Sequence, residues 1–513
     1  MNMEQNRDKY LIWIFAIGIL THLFFITNVI KNHDSMYVLN GVGAGTSSGR
    51  WALELISIAS AKLIGGNYNI PLFNGMITIA IISLSSYIVM KFFNIKDFRL
   101  AVILGAIFIS FPSLTSAMFY SFTVHYYALA ILLIVTSVYI TDRFEFGFIF
   151  AIFLGAIAIG IYQAYFTLAI GLFVLKLLQI SITGDKDIKQ TLRKSIKYLL
   201  ILCAILIIYM IALKFFLRYF DVKLTSYKGI NEIGKINFSK FPALIMETYR
   251  ESIGIIYSGY YHTFPTIIVK ACLFVLGLLS VIMLVFIVKE KKEVLVKNNK
   301  SIYLLYVIIF PLALNSIRLI VQWNNGIYTL MVYGSLIIYI VPIMIFEEFN
   351  LLDFAKKNRR KTKKVLVTMM ICYSMIVFNY AYIANLNYAA QYFTNEQAKS
   401  TLNSIITTTQ SKEGFSTDKK WAFVGMKNIP SNDGWVLNRK IKIGGNNLDA
   451  NTFINEEYVR ELFIRQYTGA DILFASPEET RIISNEQWFK DMPNYPNSGS
   501  IVIKGDFIVV KLG

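Results

Sequence analysis

Several ionisable or amide side chains stand at the ends of long apolar runs, where chemistry could take place at a membrane surface. They come from different runs yet share one expected depth, as the groups of a single site at the outer surface would. Ordinary solvated helix ends produce the same pattern. The residue types must therefore decide between a functional site and solvated helix ends. The candidates are His33, Asp34, Arg50, Glu54, His125, Gln163, Arg218 and Arg318.

Asp34 is the candidate general base. It follows the first apolar run in the sequence Asn32-His33-Asp34-Ser35, and a carboxylate at the water–lipid boundary can take a proton from an attacking hydroxyl group. A cation such as Arg50 would favour the ionised form of this carboxylate. The alternative is a helix cap or a solvated loop acid.

Two arginines could hold a phosphate group, because a guanidinium makes paired hydrogen bonds to phosphate oxygens. Arg50 follows a Gly/Ser-rich run, 41–49, that could wrap around a ligand or could be a flexible link into the next helix. Arg318 could act likewise or could extend to lipid headgroups. His125 could contact a ligand or could be a hydrogen-bonded structural histidine.

The chain that carries these residues has the composition of a membrane protein. Of its 513 residues, 55% are hydrophobic and only 16% are charged, and the mean hydropathy is +0.53. Soluble domains usually carry about 25% charged residues, and this composition excludes disorder, collagen-like repeats and a disulfide scaffold. Cys203, Cys272 and Cys372 all fall inside apolar runs and lack metal-ligand spacing.

Eleven apolar runs are predicted to be membrane-spanning helices, since a span needs about 20 residues. The stretch 146–180 is too long for one span and is predicted to turn near Tyr162-Gln163. The predicted spans are 10–30, 70–93, 100–120, 123–140, 146–161, 164–180, 196–217, 265–288, 301–320, 326–346 and 365–385.

The basic residues predict the orientation. With a cytoplasmic N-terminus, the basic loops alternate as the positive-inside rule requires, ending with the cluster at 356–364. Much of the net charge of +18 is then an orientation signal, which argues against a nucleic-acid partner. No small-x-small cleavage site follows the first run, which is interpreted as a retained span.

The last part of the chain, 386–513, is predicted to lie outside the cytoplasm. It is polar, with strand-like runs at 421–425, 471–475, 501–504 and 507–511 and helix-like runs between them, which predicts a small α/β domain. We interpret it as a cover that shapes a substrate site. The predicted fold class is therefore a mainly α-helical polytopic membrane protein, 1–385, followed by this extracytoplasmic domain.

Two further outer segments, 31–69 and 218–264, are too long to be simple linkers. Residues 51–64 predict an amphipathic helix on the membrane surface, and residues 241–257 predict a second helix. No P-loop, dinucleotide fingerprint, zinc-protease motif or nucleophile elbow occurs. A transferase acting outside the cytoplasm without a nucleotide site needs a lipid-linked donor.

Three parts of the sequence are similar to the bacterial Gtr-type glucosyltransferases, which modify O-antigens and other surface polysaccharides. They are His33-Asp34-Ser35 after the first span, Gly49-Arg50-Trp51 before the surface helix, and Gly160-Ile161-Tyr162-Gln163-Ala164-Tyr165 at the mid-chain turn. The resemblance covers residues 10–390. Where many members have paired acids, this chain has His33-Asp34, which leaves a single acid.

The resemblance implies a GT-C architecture, a polyprenyl-phosphate sugar as donor, glucose as the sugar, and a surface polysaccharide as acceptor. Asp34 would be the base, Arg50 would bind phosphate or sugar, and Tyr162 and Gln163 would line the site. The reaction would invert the anomeric carbon and release polyprenyl phosphate. A partner glycosyltransferase would charge the lipid in the cytoplasm, and a flippase would turn it outward. No cofactor is implied, and assistance by a divalent metal is left open.

Two other classes stay open on the residues alone. A polysaccharide polymerase or ligase would centre its chemistry on the loop 218–264 and would set polymer length. A transporter or lipid-linked-sugar flippase would show an internal repeat and charged or broken spans at the midplane. The sequence shows no convincing repeat and few central charges.

Overall fold

A computed structural model describes residues 6–36, 44–66, 69–184, 187–225, 241–257, 266–291, 300–320, 327–427, 443–444 and 450–513. The predicted outer segments 31–69 and 218–264 therefore lie partly outside the described residues. The chain forms two compact units. The first, called the membrane unit, comprises Met1–Thr27, Leu39–Asn385 and Lys440–Gly445, and the second, called the C-terminal unit, comprises Asn28–Val38, Leu386–Arg439 and Asn446–Gly513.

The membrane unit is helical because a segment in lipid must satisfy its backbone hydrogen bonds internally. In the part of the chain that the structure describes, eight helices are long and apolar enough to cross a membrane, which confirms a helical polytopic protein. They are Arg7–Thr27, Pro71–Phe93, Val124–Arg143, Gln163–Thr183, Ile188–Tyr219, Ile267–Glu290, Thr329–Leu351 and Arg359–Gln410.

Three of the eleven predicted spans are broken or short. The predicted span 100–120 is two helices, Phe98–Ser110 and Pro112–Met118, bent by 42° where Pro112 begins the second one. Proline favours an extended residue before it, so Phe111 cannot continue the first helix. Gly147–Ile161 and Lys300–Leu314 have 15 residues each, which is short of the about 20 that a straight crossing needs.

The turn in the middle of the chain lies where the sequence predicts it. Tyr162 leaves the helix Gly147–Ile161 with an extended backbone, φ −153° and ψ 109°. A 3-10 turn, Gln163–Tyr165, then leads into the helix Phe166–Thr183. The predicted helices Trp51–Ile64 and Phe241–Tyr257 are confirmed with the same bounds. The remaining helices of this unit are Ala44–Ser47, Ile317–Ile320, Thr329–Tyr339 (3-10), Ile340–Leu351 and Asp353–Lys357.

The C-terminal unit contains a four-stranded sheet, which confirms the small α/β fold. Its strands are β1 (Lys420–Val424), β2 (Leu473–Phe474), β3 (Ile501–Lys504) and β4 (Phe507–Lys511). Their order is β2-β1-β4-β3, with β1 parallel to both β2 and β4 and with β3 and β4 forming an antiparallel hairpin. The helices of this unit are Asn451–Asn455, Glu457–Tyr467, Pro477–Asn485 and Gln487–Lys490, together with the last residues of Arg359–Gln410.

Both faces of this sheet are packed, because successive side chains of a strand point to opposite sides. Trp421 and Phe423 enter a larger core on one face, whereas Ala422 and Val424 enter a smaller core on the other. The larger core also takes in Met36, which is only 1% exposed. The sequence did not indicate that a residue so close to the first span belongs to this core.

Candidate functional site

Arg50 stands at the end of a tightly bonded loop, residues 44–50, called the Arg50 loop. Its own amide donates to the carbonyl of Gly45 at 2.8 Å, and the Gly49 amide donates to the carbonyl of Thr46 at 2.9 Å. Gly49 has φ +75°, a conformation that favours glycine. Arg50 therefore enters the helix Trp51–Ile64 from a closed turn, whereas residues 41–43 of the Gly/Ser-rich run lie outside the described residues.

Glu54 holds this loop from the first turn of the following helix. Its Oε2 accepts hydrogen bonds from the amides of Gly45, at 2.7 Å, and Thr46, at 3.3 Å. The carboxylate is buried, and it binds amides at the start of the short helix Ala44–Ser47, where negative charge is favourable. Glu54 thus links the first turn of the helix Trp51–Ile64 to the start of the Arg50 loop.

A second anchor reaches the loop from two distant helical segments. The Gln163 Nε2 atom donates to the carbonyl of Ser48 at 3.0 Å and to the Tyr209 hydroxyl at 3.2 Å. The Tyr209 hydroxyl in turn donates to the carbonyl of Gly49 at 2.9 Å. Two consecutive carbonyl groups just before Arg50 are therefore held by side chains, which limits the directions in which Arg50 can extend.

The Arg50 guanidinium lies against tyrosine rings. Its Nη1 donates to the Tyr127 hydroxyl at 3.2 Å, and its Cζ lies 5.0 Å from the centre of the Tyr162 ring. The ring centres of Tyr127 and Tyr162 are 4.7 Å apart. The Tyr165 ring lies 5.1 Å from that of Tyr162, and the Tyr333 ring lies 6.1 Å from that of Tyr165. We call these four residues the tyrosine cluster. A cation over an aromatic face is stabilised there, and a guanidinium has the planar donor geometry that binds phosphate oxygens.

A glycine and a tryptophan set the distance between the mid-chain turn and the helix Trp51–Ile64. A Cβ atom on Gly160 would lie 2.7 Å from the Trp51 ring, so only glycine fits without movement. The Trp51 ring stacks on Phe216 with 5.3 Å between centres. The sequence run that begins at Gly160 thus brings Tyr162 and Gln163 up to the Arg50 loop.

Arg318 has a buried carboxylate partner that the sequence did not indicate. Its Nε and Nη2 donate to the two carboxylate oxygens of Glu251 at 2.7 and 2.6 Å. Asn315 donates to the same carboxylate at 3.2 Å. Such a two-bond pairing is strong and directional. The Arg318 guanidinium therefore forms a buried ion pair with Glu251 instead of extending toward lipid headgroups.

The two candidate histidines lie in different units. His125 is the second residue of the helix Val124–Arg143, and the centre of its ring lies 3.9 Å from the centre of the Tyr126 ring. Its Nδ1 is buried and has no hydrogen-bond partner among the described residues. His33 belongs to the C-terminal unit, where its Nε2 lies 3.3 Å from Oδ1 of Asp34.

Asp34 begins a single turn of 3-10 helix, Asp34–Met36. Its side chain is 47% exposed, so the carboxylate is open to solvent while the next two residues are buried. A half-exposed carboxylate beside an imidazole can accept a proton from water or from a hydroxyl group. Within the described ranges, no group of three or more His, Cys, Asp or Glu side chains could hold a metal ion.

Sequence reasoning identified Arg50, Tyr162 and Gln163 but missed the residues that complete their surroundings. Tyr127, Tyr165, Tyr209 and Tyr333 come from separate helical segments, and nothing in the local sequence of Tyr209 or Tyr333 distinguishes these two from the rest of the 31 tyrosines. Tyr127 and Tyr165 had a signal in their position, since Tyr127 lies two residues after His125 and Tyr165 lies in the run Gly160–Tyr165.

The fold and site define a polytopic membrane protein whose site combines a fixed guanidinium with aromatic rings. Residues 23–339 match the model of the family described as Glucosyl transferase GtrII. Because the match covers more than half of the 513 residues, the chain belongs to this glucosyltransferase family. No curated protein and no solved structure matches the chain. The matched segment includes every candidate residue from His33 to Arg318.

Proposed function

We propose that this protein transfers glucose from a polyprenyl-phosphate donor to a cell-surface polysaccharide on the outer side of a bacterial plasma membrane. The observation that carries the proposal is the Arg50 guanidinium, held over Tyr162 by a loop that Gln163, Tyr209 and Glu54 fasten. Family membership supports the transfer of glucose. The apolar helices around the site favour a donor whose tail stays in the lipid.

In this proposal Arg50 binds the phosphate of the donor, and the tyrosine cluster receives the sugar ring. A guanidinium can make two parallel hydrogen bonds to phosphate oxygens, and those bonds strengthen as negative charge grows on the leaving group. Tyr162 and Gln163 line the site. His33, His125 and Arg318 are proposed as further contacts to the substrates, with Arg318 acting through its pair with Glu251.

Asp34 is proposed to act as the general base. The acceptor hydroxyl oxygen attacks the anomeric carbon while its proton passes to the Asp34 carboxylate. The bond from the anomeric carbon to the phosphate oxygen breaks, and polyprenyl phosphate leaves with the electron pair. Attack opposite the leaving group inverts the configuration at the anomeric carbon.

The proposed topology places the N-terminus in the cytoplasm and the C-terminal unit outside it, following the positive-inside rule. The lipid donor would be charged by a cytoplasmic polyprenyl-phosphate glycosyltransferase and moved across the membrane by a flippase. No resident cofactor is proposed, and assistance by a divalent metal is left open. The acceptor would be a surface polysaccharide rather than a nucleic acid.

The test is transfer by the full-length protein in vesicles, using polyprenyl-phosphate glucose with a radioactive sugar and isolated surface polysaccharide. Asp34→Asn should lower the rate of transfer about 10³-fold, in the range that general bases contribute. Asp471→Asn is the matched control, since Asp471 is an exposed acid of the same unit. A normal rate in Asp34→Asn would remove the proposed base.

A second measurement separates transfer from the alternative functions. Polysaccharide from a strain that lacks the gene should lose one hexose side branch and keep its chain-length distribution. Changed polymer length with intact branches would instead indicate a polymerase or ligase. Wild-type vesicles that move the lipid-linked sugar across the bilayer without any transfer would indicate a flippase.

A further inference from the structure

The segment that carries His33 and Asp34, residues 28–36 and called the strap, is fastened to the C-terminal unit by an asparagine. Asn395, on the helix Arg359–Gln410, accepts a hydrogen bond from the Lys31 amide and donates one to the Lys31 carbonyl, both at 3.0 Å. Asn395 is only 2% exposed. One side-chain amide thus satisfies both polar groups of a single backbone residue, which fixes the position and rotation of the strap there.

A second helix of the same unit, Glu457–Tyr467, holds the strap at both ends. The Gln466 Nε2 atom donates to the carbonyl of Met36 at 3.1 Å, and the Tyr467 hydroxyl donates to the carbonyl of Val29 at 3.3 Å. The Lys31 ammonium also lies 5.8 Å from the centre of the Tyr467 ring. The anchors therefore bracket the two residues, His33 and Asp34, that the proposed reaction uses.

The side chains of the strap complete this attachment. Met36 packs into the larger core of the C-terminal unit with Leu402 and Phe463. Asn32, which is fully buried, accepts the Ser35 amide at its Oδ1 at 2.8 Å and accepts the Ser35 hydroxyl at its carbonyl at 3.0 Å. The backbone on each side of Asp34 is thereby fixed.

The remaining freedom lies in the side chain of Asp34 itself, which is 47% exposed. A carboxylate in solvent on a loose loop would sample many positions, whereas one on a bracketed turn is confined to a few rotamers. Catalysis by a base needs its oxygen within hydrogen-bond reach of the proton, and displacement by about 1 Å can lower a rate 10²-fold.

We propose that the C-terminal unit positions the catalytic acid: Asn395 and Gln466 are positioning residues that hold the strap so that Asp34 faces the acceptor hydroxyl. This inference rests on the proposed function, in which Asp34 is the base. It gives the unit a different task from the cover that its composition indicated. Hydrogen bonds from two helices of this unit hold the turn that carries Asp34.

The test uses the full-length protein carrying Asn395→Leu or the milder Gln466→Met. Hydrogen exchange of the strap amides and steady-state transfer kinetics are measured on the same preparations. Asn403→Leu is the matched control, since Asn403 is an exposed asparagine on the same helix. Exchange across β4 checks that the C-terminal unit stays folded, and the Gln466 variant keeps the test valid if Asn395→Leu does not fold.

Both variants should exchange the strap amides about tenfold faster, in line with the loss of one or two partly buried hydrogen bonds. The kcat should fall at least tenfold while the KM for the lipid donor stays within about twofold, since Arg50 and the tyrosine cluster are untouched. A merely structural effect would instead reduce the amount of active protein and leave the kcat of the folded fraction unchanged.

Two results would overturn the inference. Strap exchange as slow as in the wild type, in both variants, would show that these residues do not anchor it. Faster exchange with unchanged kcat would show that anchoring does not serve the reaction. Asp34→Asn, assayed beside them, judges the proposed function separately, because a normal rate there removes the base whatever the exchange data show.

Discussion

The Tyr209 hydroxyl donates to the backbone carbonyl of Gly49 across 2.9 Å, although 160 residues separate the two in the chain. Gly49 is the residue before Arg50, and Gln163 bonds both to this hydroxyl and to the neighbouring Ser48 carbonyl. The direction of the arginine is thus decided by a tyrosine on another helix. Under the proposed function, Tyr209 would be a positioning residue rather than a group that contacts substrate.

Removing that hydroxyl should weaken donor binding without unfolding the protein. Tyr209→Phe loses the bonds to Gly49 and Gln163 and keeps the ring, so we expect the KM for the lipid donor to rise about tenfold. The measurement is transfer kinetics in vesicles. Tyr219→Phe is the control, because Tyr219 is an exposed tyrosine of the same helix, Ile188–Tyr219. Equal KM values in both variants would contradict the role given to Tyr209.

Changes at Arg50 itself should separate charge from shape. Arg50→Lys keeps the charge but loses the planar fork and the stacking on Tyr162, so the donor KM should rise about tenfold. Arg50→Ala loses the charge as well, and a rise of about 100-fold is expected. Arg193→Lys, at an exposed arginine, serves as the control. If Arg50→Ala changes kcat alone, Arg50 does not bind the donor in its ground state.

The pair formed by Arg318 and Glu251 should respond strongly to losing one member. Glu251→Gln leaves a buried guanidinium without its countercharge and should lower the free energy of unfolding by about 3 kcal/mol. Denaturation in detergent measures this loss. Glu251→Leu combined with Arg318→Met should restore much of the stability, because apolar side chains need no partner there.

The control for this pair is one turn away on the same helix. Glu247→Gln breaks a looser contact of 3.6 Å with Arg250, whose side chain is 70% exposed, so a loss within about 0.5 kcal/mol is expected. Additive effects of the two changes at Glu251 and Arg318 would show that their contact does not contribute to stability.

Asp97 should make the stability depend on pH. Burial alone would raise the pKa of this carboxyl, but hydrogen bonds and charge from Arg99, together with the amides of Arg99 and Leu100, lower it below its ordinary 3.8. A lowered pKa in the folded state stabilises the fold at pH values above 3.8, and this contribution is lost as the pH falls through the folded value.

Asp97→Asn keeps a helix cap and removes only the charge. It should lower the free energy of unfolding at neutral pH by about 0.5 kcal/mol, since Arg99 is 60% exposed and the pair is screened. The wild type and the variant should converge under acidic conditions below the folded pKa. Asp8→Asn, at an acid 78% exposed, is the control. A difference that persists in acid would point to lost capping instead of lost charge.

Properties that are local to a segment could be read from the sequence. An apolar run must form a helix in lipid because no other spanning segment satisfies its own backbone. The helices Trp51–Ile64 and Phe241–Tyr257 lie outside the spans and were predictable to the residue from helical periodicity, which is also a local property. The break at Tyr162 was predictable as well. Short apolar runs rich in β-branched and aromatic residues indicated the strands within 421–511, again from the local sequence.

The length of a span was less predictable, because residues next to a helix share its hydropathy. Phe111 and Pro112 lie within one apolar run, yet the backbone restriction before proline divides the run into two helices.

The same motifs that identified Arg50, Tyr162 and Gln163 also led to the family that the match over residues 23–339 establishes.

Only the tertiary structure decided which side chains meet. The contacts of Arg50 with Tyr127, of Arg318 with Glu251, and of Lys31 with Asn395 each join positions more than 60 residues apart. Helical periodicity and composition describe one segment at a time and carry no information on such pairs. The physical reason is that a charged or amide group reveals its type in the sequence, whereas its partner is selected by how separate helices pack.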